Sequence, residues 1–491
     1  MLKPLSTEKW NYTTAAHLMN RAGFGGTPDE ITRLTTILPS AAVNLFIDYD
    51  KVPDSTPSPA WAHPDPERAE KLRAINQATG DEKQQLQKEE RQMQQLQMQE
   101  LRGWWLQRMD KGPRPFQEKM VLFWHGHFAT SMEKVRDTYL MWRQNELFRR
   151  LALDNWQRIL EEVATDPAML IWLDQAQSRK DHPNENFARE VMELFTLGEG
   201  HYTEKDITEG ARALTGWSYD RQTEKFVERP GFHDDGEKTF LGKTGNLNGS
   251  DVLAQIVAQP QAARFITAKL WTFFAGEPPS EDLNTALAAK FREGYNNFKP
   301  FMRSMLLSEE FYSPKIIRNQ VKSPVEWLVG SCRMLERELP GPVVCAALTR
   351  NLGQDLFAPP NVKGWDGGLA WITTNNLLAR YNQADTLVQG DFTPLEGANV
   401  AKKPAQEKQI DRRLRNVRLN SADVTKLFTG QERNDKAALI KALEKRFLQA
   451  SLSEKQERTL RDYLDARVSL DDGDIRGAIR LVMSTPEFQL C

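Results

Sequence analysis

Apolar residues recur every three or four positions along most of the chain, a spacing that predicts amphipathic α-helices. A short helix is expected in "TTAAHLMNRAGFG", and "TPDEITRLTTIL" begins the next, with Thr27 as N-cap and Pro28 in the first turn. A long polar helix is expected over 67–109, with a break near Gly80. The pattern therefore predicts a predominantly helical protein.

The Gln-rich second half of the long helix carries a narrow apolar seam. The seam consists of Leu86, Met93, Leu96, Leu101 and Trp104. Such a seam favours a helix packed against the rest of the fold. A coiled-coil dimer is the alternative, since the run covers only about three heptads.

Two segments interrupt the helical pattern. Residues 217–250 are rich in turn formers, and "GEKTFLGKTG" within them predicts a small hairpin or an ordered loop. The second segment, 355–376, is punctuated by Pro and Gly, and loops of this kind often carry function. Together the patterns predict an all-α fold, a multi-helix bundle-like core with two long irregular loop segments and a small C-terminal helical unit.

The same patterns predict five parts of the chain. They are an N-terminal helical segment (1–65), a long polar helix or insertion (66–110), a central helical domain carrying the His and Glu motifs (111–387), a linker (388–408) and a C-terminal helical unit (409–491). Because 491 residues exceed the usual size of one hydrophobic core, more than one packed unit is expected.

Composition narrows the functional classes. The 65 Lys and Arg balance 67 Asp and Glu, so the chain shows no overall positive charge for binding nucleic acid. The three cysteines fit neither a zinc knuckle nor a disulfide framework. No transmembrane segment and no signal peptide are predicted, so cytoplasmic residence is the default expectation. The oligomeric state is left open.

The segment "HPNENFAREVMELFTLGEGHYT", 182–203, concentrates polar groups on one helix. Wound as a helix, it places Asn186, Glu190 and Glu193 in a stripe opposite the apolar side, with Arg189 and Glu185 along the edge. One interpretation is a solvated face with ion pairs at helical spacing. The other is a pair of carboxylates that hold a metal ion or share a proton.

Two further segments offer imidazole groups. In "FWHGHFATS", His125 and His127 would point about 200° apart on a regular helix, unless Gly126 loosens it and lets the rings converge. In "GFHDDGEKTFLG", His233 lies on a glycine-bounded loop and is interpreted as a ligand, a general base or part of a turn. His201 is interpreted as a loop residue.

Several ordered blocks resemble the bacterial family called domain of unknown function 1800 (DUF1800). They are "AAHLMNRAGFGGTPDEI", "FWHGHFATS", "HPNENFAREVMELFTLGEGHYTEKDI", "ARALTGW", "FHDDGEKTFLG", "QPQAARFITAKLWTFF" and "PPNVKGWDGG". The resemblance covers nearly the whole chain and implies no settled activity. It implies that Gly126 stands where Asn is more often found. The motif positions that it implies are His125, His127, His182, Asn184, Glu185, Asn186, Arg189, Glu190, Glu193, His201 and His233. It also implies a partner, since such proteins are often encoded beside a sulfatase-like protein (domain of unknown function 1501), with folded co-export to the periplasm.

The leading functional hypothesis is a metal-dependent enzyme of oxidative or hydrolytic chemistry. Its metal ligands would be His125, His127, His233, Glu190 and Glu193, holding iron, manganese or zinc. His182 and Glu185 would transfer protons, and Arg189 would anchor the substrate. The alternative is a non-catalytic helical partner or export escort of the sulfatase-like protein.

Overall fold

The computed structural model describes residues 2–390 and 419–491. From residue 391 onward, the predicted linker at 388–408 lies outside the described residues. The described residues form twenty-four α-helices and two small two-stranded sheets, which confirms the predicted all-α class.

The first helices follow the predicted starts and stops. They are α1 Tyr12–Ala22, α2 Pro28–Thr35, α3 Pro39–Ile47, α4 Arg68–Gln77 and α5 Gly80–Lys111. Thr27 caps α2 as predicted, since its side chain accepts from the Glu30 N–H while Glu30 accepts from the Thr27 N–H. The helix predicted over 67–109 is interrupted just before Gly80, as the sequence predicts. The buried residues of α5 begin at Met98: Leu101 is fully buried, whereas Leu96 of the predicted seam is exposed.

The central helices include one, α6, that is buried along almost its whole length. They are α6 Pro115–His127, α7 Met132–Val135, α8 Thr138–Arg150, α9 Trp156–Ala164, α10 Pro167–Trp172, α11 Glu185–Glu190, α12 Glu204–Ala213, α13 Gly249–Ala258, α14 Pro260–Ala275, α15 Glu281–Glu293 and α16 Phe298–Leu306. All of α6 is buried except Pro115 and Gly126. A helix buried on every side can present residues to several neighbours at once, and α6 packs against α1, α3, α5 and α8.

The remaining helices complete the bundle. They are α17 Pro324–Met334, α18 Pro342–Asn351, α19 Thr374–Gln389, α20 Val424–Leu427, α21 Gly430–Asn434, α22 Lys436–Leu443, α23 Glu454–Asp465 and α24 Asp472–Met483. Buried apolar side chains from Leu5 to Phe488 form one continuous hydrophobic cluster, so the C-terminal helices pack onto the same core as the N-terminal ones. Among the described residues, none of the helices has the length and apolar character that crossing a bilayer requires.

The first irregular segment contains both sheets. Strands β1 Trp217–Asp220 and β2 Lys225–Glu228 pair antiparallel, as do β3 Lys238–Phe240 and β4 Lys243–Gly245. The second pair is the hairpin that the sequence offered for "GEKTFLGKTG".

The helical periodicity of the sequence predicts one helix over 137–162 and another over 251–274, and the structure divides both. The segment 137–162 separates into α8 and α9, because Asn155 accepts from the Gln157 N–H and starts a new helix. The segment 251–274 separates at Pro260, whose missing N–H suits the first turn of α14. Both signals are local, and the sequence pattern alone had merged them.

Candidate functional site

A cavity of about 800 Å³ opens between α6, α14 and the loop 363–371. Its lining also includes residues from the start of α17 and His201. Aromatic rings dominate its apolar lining: Phe123, Phe265, Phe273, Trp365 and Trp371. Volumes of this size hold small organic molecules in other proteins, usually with an apolar lining and a few polar groups.

His127 is the buried imidazole of this cavity. Its Nε2 lies 3.0 Å from the Phe195 carbonyl oxygen, which can only accept, so Nε2 carries the proton. Its Nδ1 is therefore a lone-pair acceptor, and no described residue donates a hydrogen bond to it. The ring stacks on Phe123, with 5.6 Å between centroids and 8° between planes. Burial and the nearby Lys269 hold the pKa of His127 well below its usual value, so the ring is neutral.

Lys269 supplies the cavity with an amine. Its Nζ donates to the Leu194 carbonyl oxygen over 3.0 Å and lies 4.8 Å from the centre of the Phe265 ring. Within 2–390 and 419–491, no carboxylate lies within ion-pair distance of this amine. Burial, with a smaller contribution from the charge of Lys363, lowers the pKa of Lys269 to about 8.

The C-terminal end of the 182–203 segment reaches the edge of this cavity. After α11 the helix widens into a π-helical turn, Val191–Thr196, and stops at Gly198, whose φ of +81° is the left-handed stop. The last carbonyls of a helix lack partners within the helix. Here cavity side chains satisfy three of them: Lys269 binds Leu194, His127 binds Phe195 and Gln261 binds Leu197. The helical part of the segment thus meets the cavity through its backbone, His201 beyond it lines the cavity, and the charged stripe makes its contacts elsewhere.

Further polar groups border the cavity near α17. Glu326 is buried and forms an ion pair with Lys119 at 2.6 Å. It also completes the capping box of α17 by accepting from the Ser323 N–H. Two further residues that line the cavity are Gln320 and Asn284; their buried side-chain oxygens accept no hydrogen bond from the described residues.

The loop 363–371 lies directly on α6. Gly364 has φ +89°, and a Cβ built there would lie 2.3 Å from the Gly126 carbonyl oxygen. Only glycine permits this approach. At Gly126 itself, which lines the cavity, an added Cβ would meet nothing within 4 Å. The cavity therefore has space for a side chain at position 126.

His125, one of the predicted ligands, lies on another side of α6. Its Nε2 accepts the Phe357 N–H over 3.0 Å, and its ring packs edge-on against Trp105. Burial lowers the pKa of His125 to about 3. Because the helix continues through Gly126, the two imidazoles diverge and contact different parts of the fold.

The predicted polar stripe pairs mainly with α12. Arg189 binds Glu204 through two hydrogen bonds of 3.0 and 2.8 Å, whereas the sequence suggested pairs within its own helix. Glu185 accepts from the Thr208 hydroxyl at 2.9 Å. These contacts join α11 to α12 on an exposed surface.

The two carboxylates of the stripe differ in environment. Glu193 accepts from the Tyr202 hydroxyl at 2.7 Å. Glu190 is half-buried, and burial together with the charge of Glu193 raises its pKa. The pair is therefore close enough for electrostatic coupling.

His182 and His233 lie at the other end of α11 and α12. His233 donates from Nδ1 to the Thr215 carbonyl at 2.9 Å, which leaves Nε2 with its lone pair. His182 is exposed and pairs through its backbone with Arg179. Asp234, which follows His233 in its loop, accepts two hydrogen bonds from Arg212.

The five predicted metal ligands do not form one cluster. Across the described parts of the chain, no group of three or more His, Cys, Asp and Glu side chains is arranged to hold a metal ion. The lone pair of His125 Nε2 is already engaged by a backbone N–H. Metal binding by these residues stays a prediction.

Sequence reasoning missed Lys269, the polar group that the cavity places among aromatic rings. A signal was present, since Lys269 interrupts the apolar pattern of "ARFITAKLWTFF". A lysine on such a helix ordinarily extends its amine to water, so the pattern alone does not distinguish the two situations.

The fold and the cavity define an all-α protein with a ligand-sized site assembled from distant segments. The family model described as protein of unknown function (DUF1800) matches residues 17–490, and the chain belongs to this family. Neither the curated proteins nor the solved structures contain a match to the chain.

Proposed function

We propose that the protein binds a small organic ligand with an apolar body in the cavity between α6, α14 and the loop 363–371. Lys269 contacts the ligand's polar group. The observation that supports this most is the cavity of about 800 Å³, which surrounds an amine without a carboxylate partner among the described residues.

The charges around the cavity leave Lys269 as its distinctive polar group. Arg264 forms an ion pair with Glu281, and Lys363 forms one with Asp366. Glu326 is paired with Lys119 in the same way. A ligand that hydrogen-bonds to Lys269 would therefore not compete with an existing ion pair.

The lining comes from segments far apart in the sequence. His127, Lys269 and Trp365 line the cavity and belong to three of the blocks by which the chain resembles its family. A lining drawn from several such blocks favours a binding site over an accidental gap.

A cavity-filling variant tests the proposal. Gly126→Leu places an apolar side chain where a Cβ meets no neighbour, so we expect it to occupy the cavity and to leave the fold intact. Binding of anilinonaphthalene sulfonate, measured by calorimetry with its stoichiometry, should weaken by about tenfold or more, equivalent to about 1.4 kcal/mol.

The matched control is Gly430→Leu, at an exposed glycine where an added Cβ also meets nothing within 4 Å. It should bind the probe as the unmodified protein does. Equal affinities in the two variants, or binding at several weak sites, would contradict the proposal.

Two other expectations remain predictions beside this one. Metal-dependent catalysis still requires that His125, His127, His233 and the two glutamates act together. A role as partner of a sulfatase-like protein requires association of the two proteins. Neither is needed for ligand binding in the cavity, and each has its own assay.

A further inference from the structure

We propose that the ligand is an aldehyde or ketone and that Lys269 captures it as an imine. This inference rests on the proposed function, since it assigns the ligand class to the same cavity. It stands on the position of the amine in the cavity, beside the Phe265 ring and with a carbonyl oxygen as its hydrogen-bond partner.

The geometry suits a nucleophilic amine. One N–H of Lys269 is used by the Leu194 carbonyl, so in the neutral amine the lone pair is directed away from that oxygen. The side chain is half-buried beside Phe265. A lysine that is desolvated near another cation is the usual form of an activated lysine nucleophile, and Lys363 is that cation here.

Other charged groups around the cavity do not restore the charge of the amine. The titratable or permanently charged residues that line it besides Lys269 are His127, His201, Arg264, Glu326, Lys363 and Asp366. The two carboxylates have cationic partners of their own, at 2.6 Å for Glu326 and 3.3 Å for Asp366. His127 is neutral. The pKa of Lys269, about 8, thus leaves a large fraction of its amine neutral near pH 8.

The reaction balances without a further reactant. The Nζ lone pair attacks the carbonyl carbon and forms the C–N bond, the C=O double bond becomes a single bond, and one proton passes from the nitrogen to the oxygen. The resulting carbinolamine then breaks its C–O bond, and the hydroxyl leaves as water with the second nitrogen proton, so that a C=N bond remains. No oxidant or reductant takes part, and the apolar cavity disfavours the return of water.

The experiment compares an aldehyde with its alcohol. The full chain is incubated near pH 8 with 2-naphthaldehyde and cyanoborohydride, which reduces an imine to a stable secondary amine. Peptide mass spectrometry then locates the naphthylmethyl group. In parallel, calorimetry measures binding of 2-naphthalenemethanol, which has a similar shape and cannot form an imine.

We expect Lys269 to be labelled at least about tenfold faster than the half-buried Lys290, which is paired with Glu293 at 2.9 Å, because burial increases the neutral fraction of Lys269 near pH 8. Lys269→Arg should abolish this fast labelling and keep a cation in place, whereas Lys290→Arg should not change it. Gly126→Leu should slow the labelling of Lys269 in the unmodified lysine background. Mapping the unmodified protein does not depend on how well any variant folds.

The outcomes separate the two proposals. If the alcohol binds in the cavity and Lys269 is labelled no faster than Lys290, the imine is refuted and ligand binding stands. If the alcohol does not bind and labelling is uniform, both proposals are contradicted. Fast labelling of Lys269 that Gly126→Leu suppresses supports both.

Discussion

Replacing Glu118 by glutamine removes the negative charge at the centre of a buried ion network. The Glu118 side chain is 1% exposed, and its two oxygens accept from Trp105 at 2.9 Å, Arg108 at 2.9 Å and Arg149 at 2.7 and 2.8 Å. Burial favours the protonated acid, but the two guanidinium groups outweigh it and lower the pKa of Glu118. The carboxylate is therefore charged, and the amide of the variant cannot replace it.

The expected loss is about 3 kcal/mol of the free energy of unfolding. Breaking a buried ion pair by removing one partner costs about 3–5 kcal/mol. The lower end applies here, because each guanidinium keeps another carboxylate: Arg108 binds Asp54 at 2.5 Å, and Arg149 binds Glu146 at 2.6 Å.

Urea denaturation followed by tryptophan fluorescence measures this loss, with calorimetry to establish whether one transition is present. The control is Glu162→Gln, which breaks an exposed pair with Arg150 at 3.0 Å and should cost at most about 1 kcal/mol. Equal midpoints for the two variants would refute the assignment of a large stabilising role to the buried network.

Three further predictions follow from single sites. Burial raises the pKa of Asp166 to about 6 from an ordinary 3.8, so ionisation of this carboxyl lowers the free energy of unfolding as the pH rises from about 4 to 6. In denaturation at several pH values, Asp166→Asn should raise the free energy of unfolding by about 1–3 kcal/mol at neutral pH and leave it unchanged near pH 4. The control Asp435→Asn, at an exposed N-cap, should show no such increase. Gly364→Ala should cost about 1–3 kcal/mol and weaken probe binding, unlike Gly231→Ala, whose added Cβ meets no neighbour; equal melting temperatures would argue against the close contact with α6. The metal hypothesis predicts about one equivalent of iron, manganese or zinc retained after desalting and lost in His233→Ala by elemental analysis; protein that stays free of each offered metal would contradict it.

The helical class and many helix ends could be predicted from local patterns in the sequence. The capping box at Thr27, the break before Gly80 and the left-handed stop at Gly198 all depend on residues close together in the chain. Apolar spacing of three or four positions is likewise a local property, so it predicts helices without knowledge of their neighbours. The same reasoning found the hairpin Lys238–Gly245, although it merged helices that Asn155 and Pro260 divide.

Which polar groups are buried, and which contact each other, depends on the tertiary structure. Glu118 lies in the first turn of α6 and looks like a solvated residue, yet it is enclosed because α5 and α8 bring two arginines to it. His125 and His127 separate because the helix persists through Gly126. Lys269 joins His127 because both satisfy the terminal carbonyls of a third helix. Most of these contacts link residues 31 to 75 positions apart, and their energies depend on packing and desolvation that a local sequence pattern does not contain.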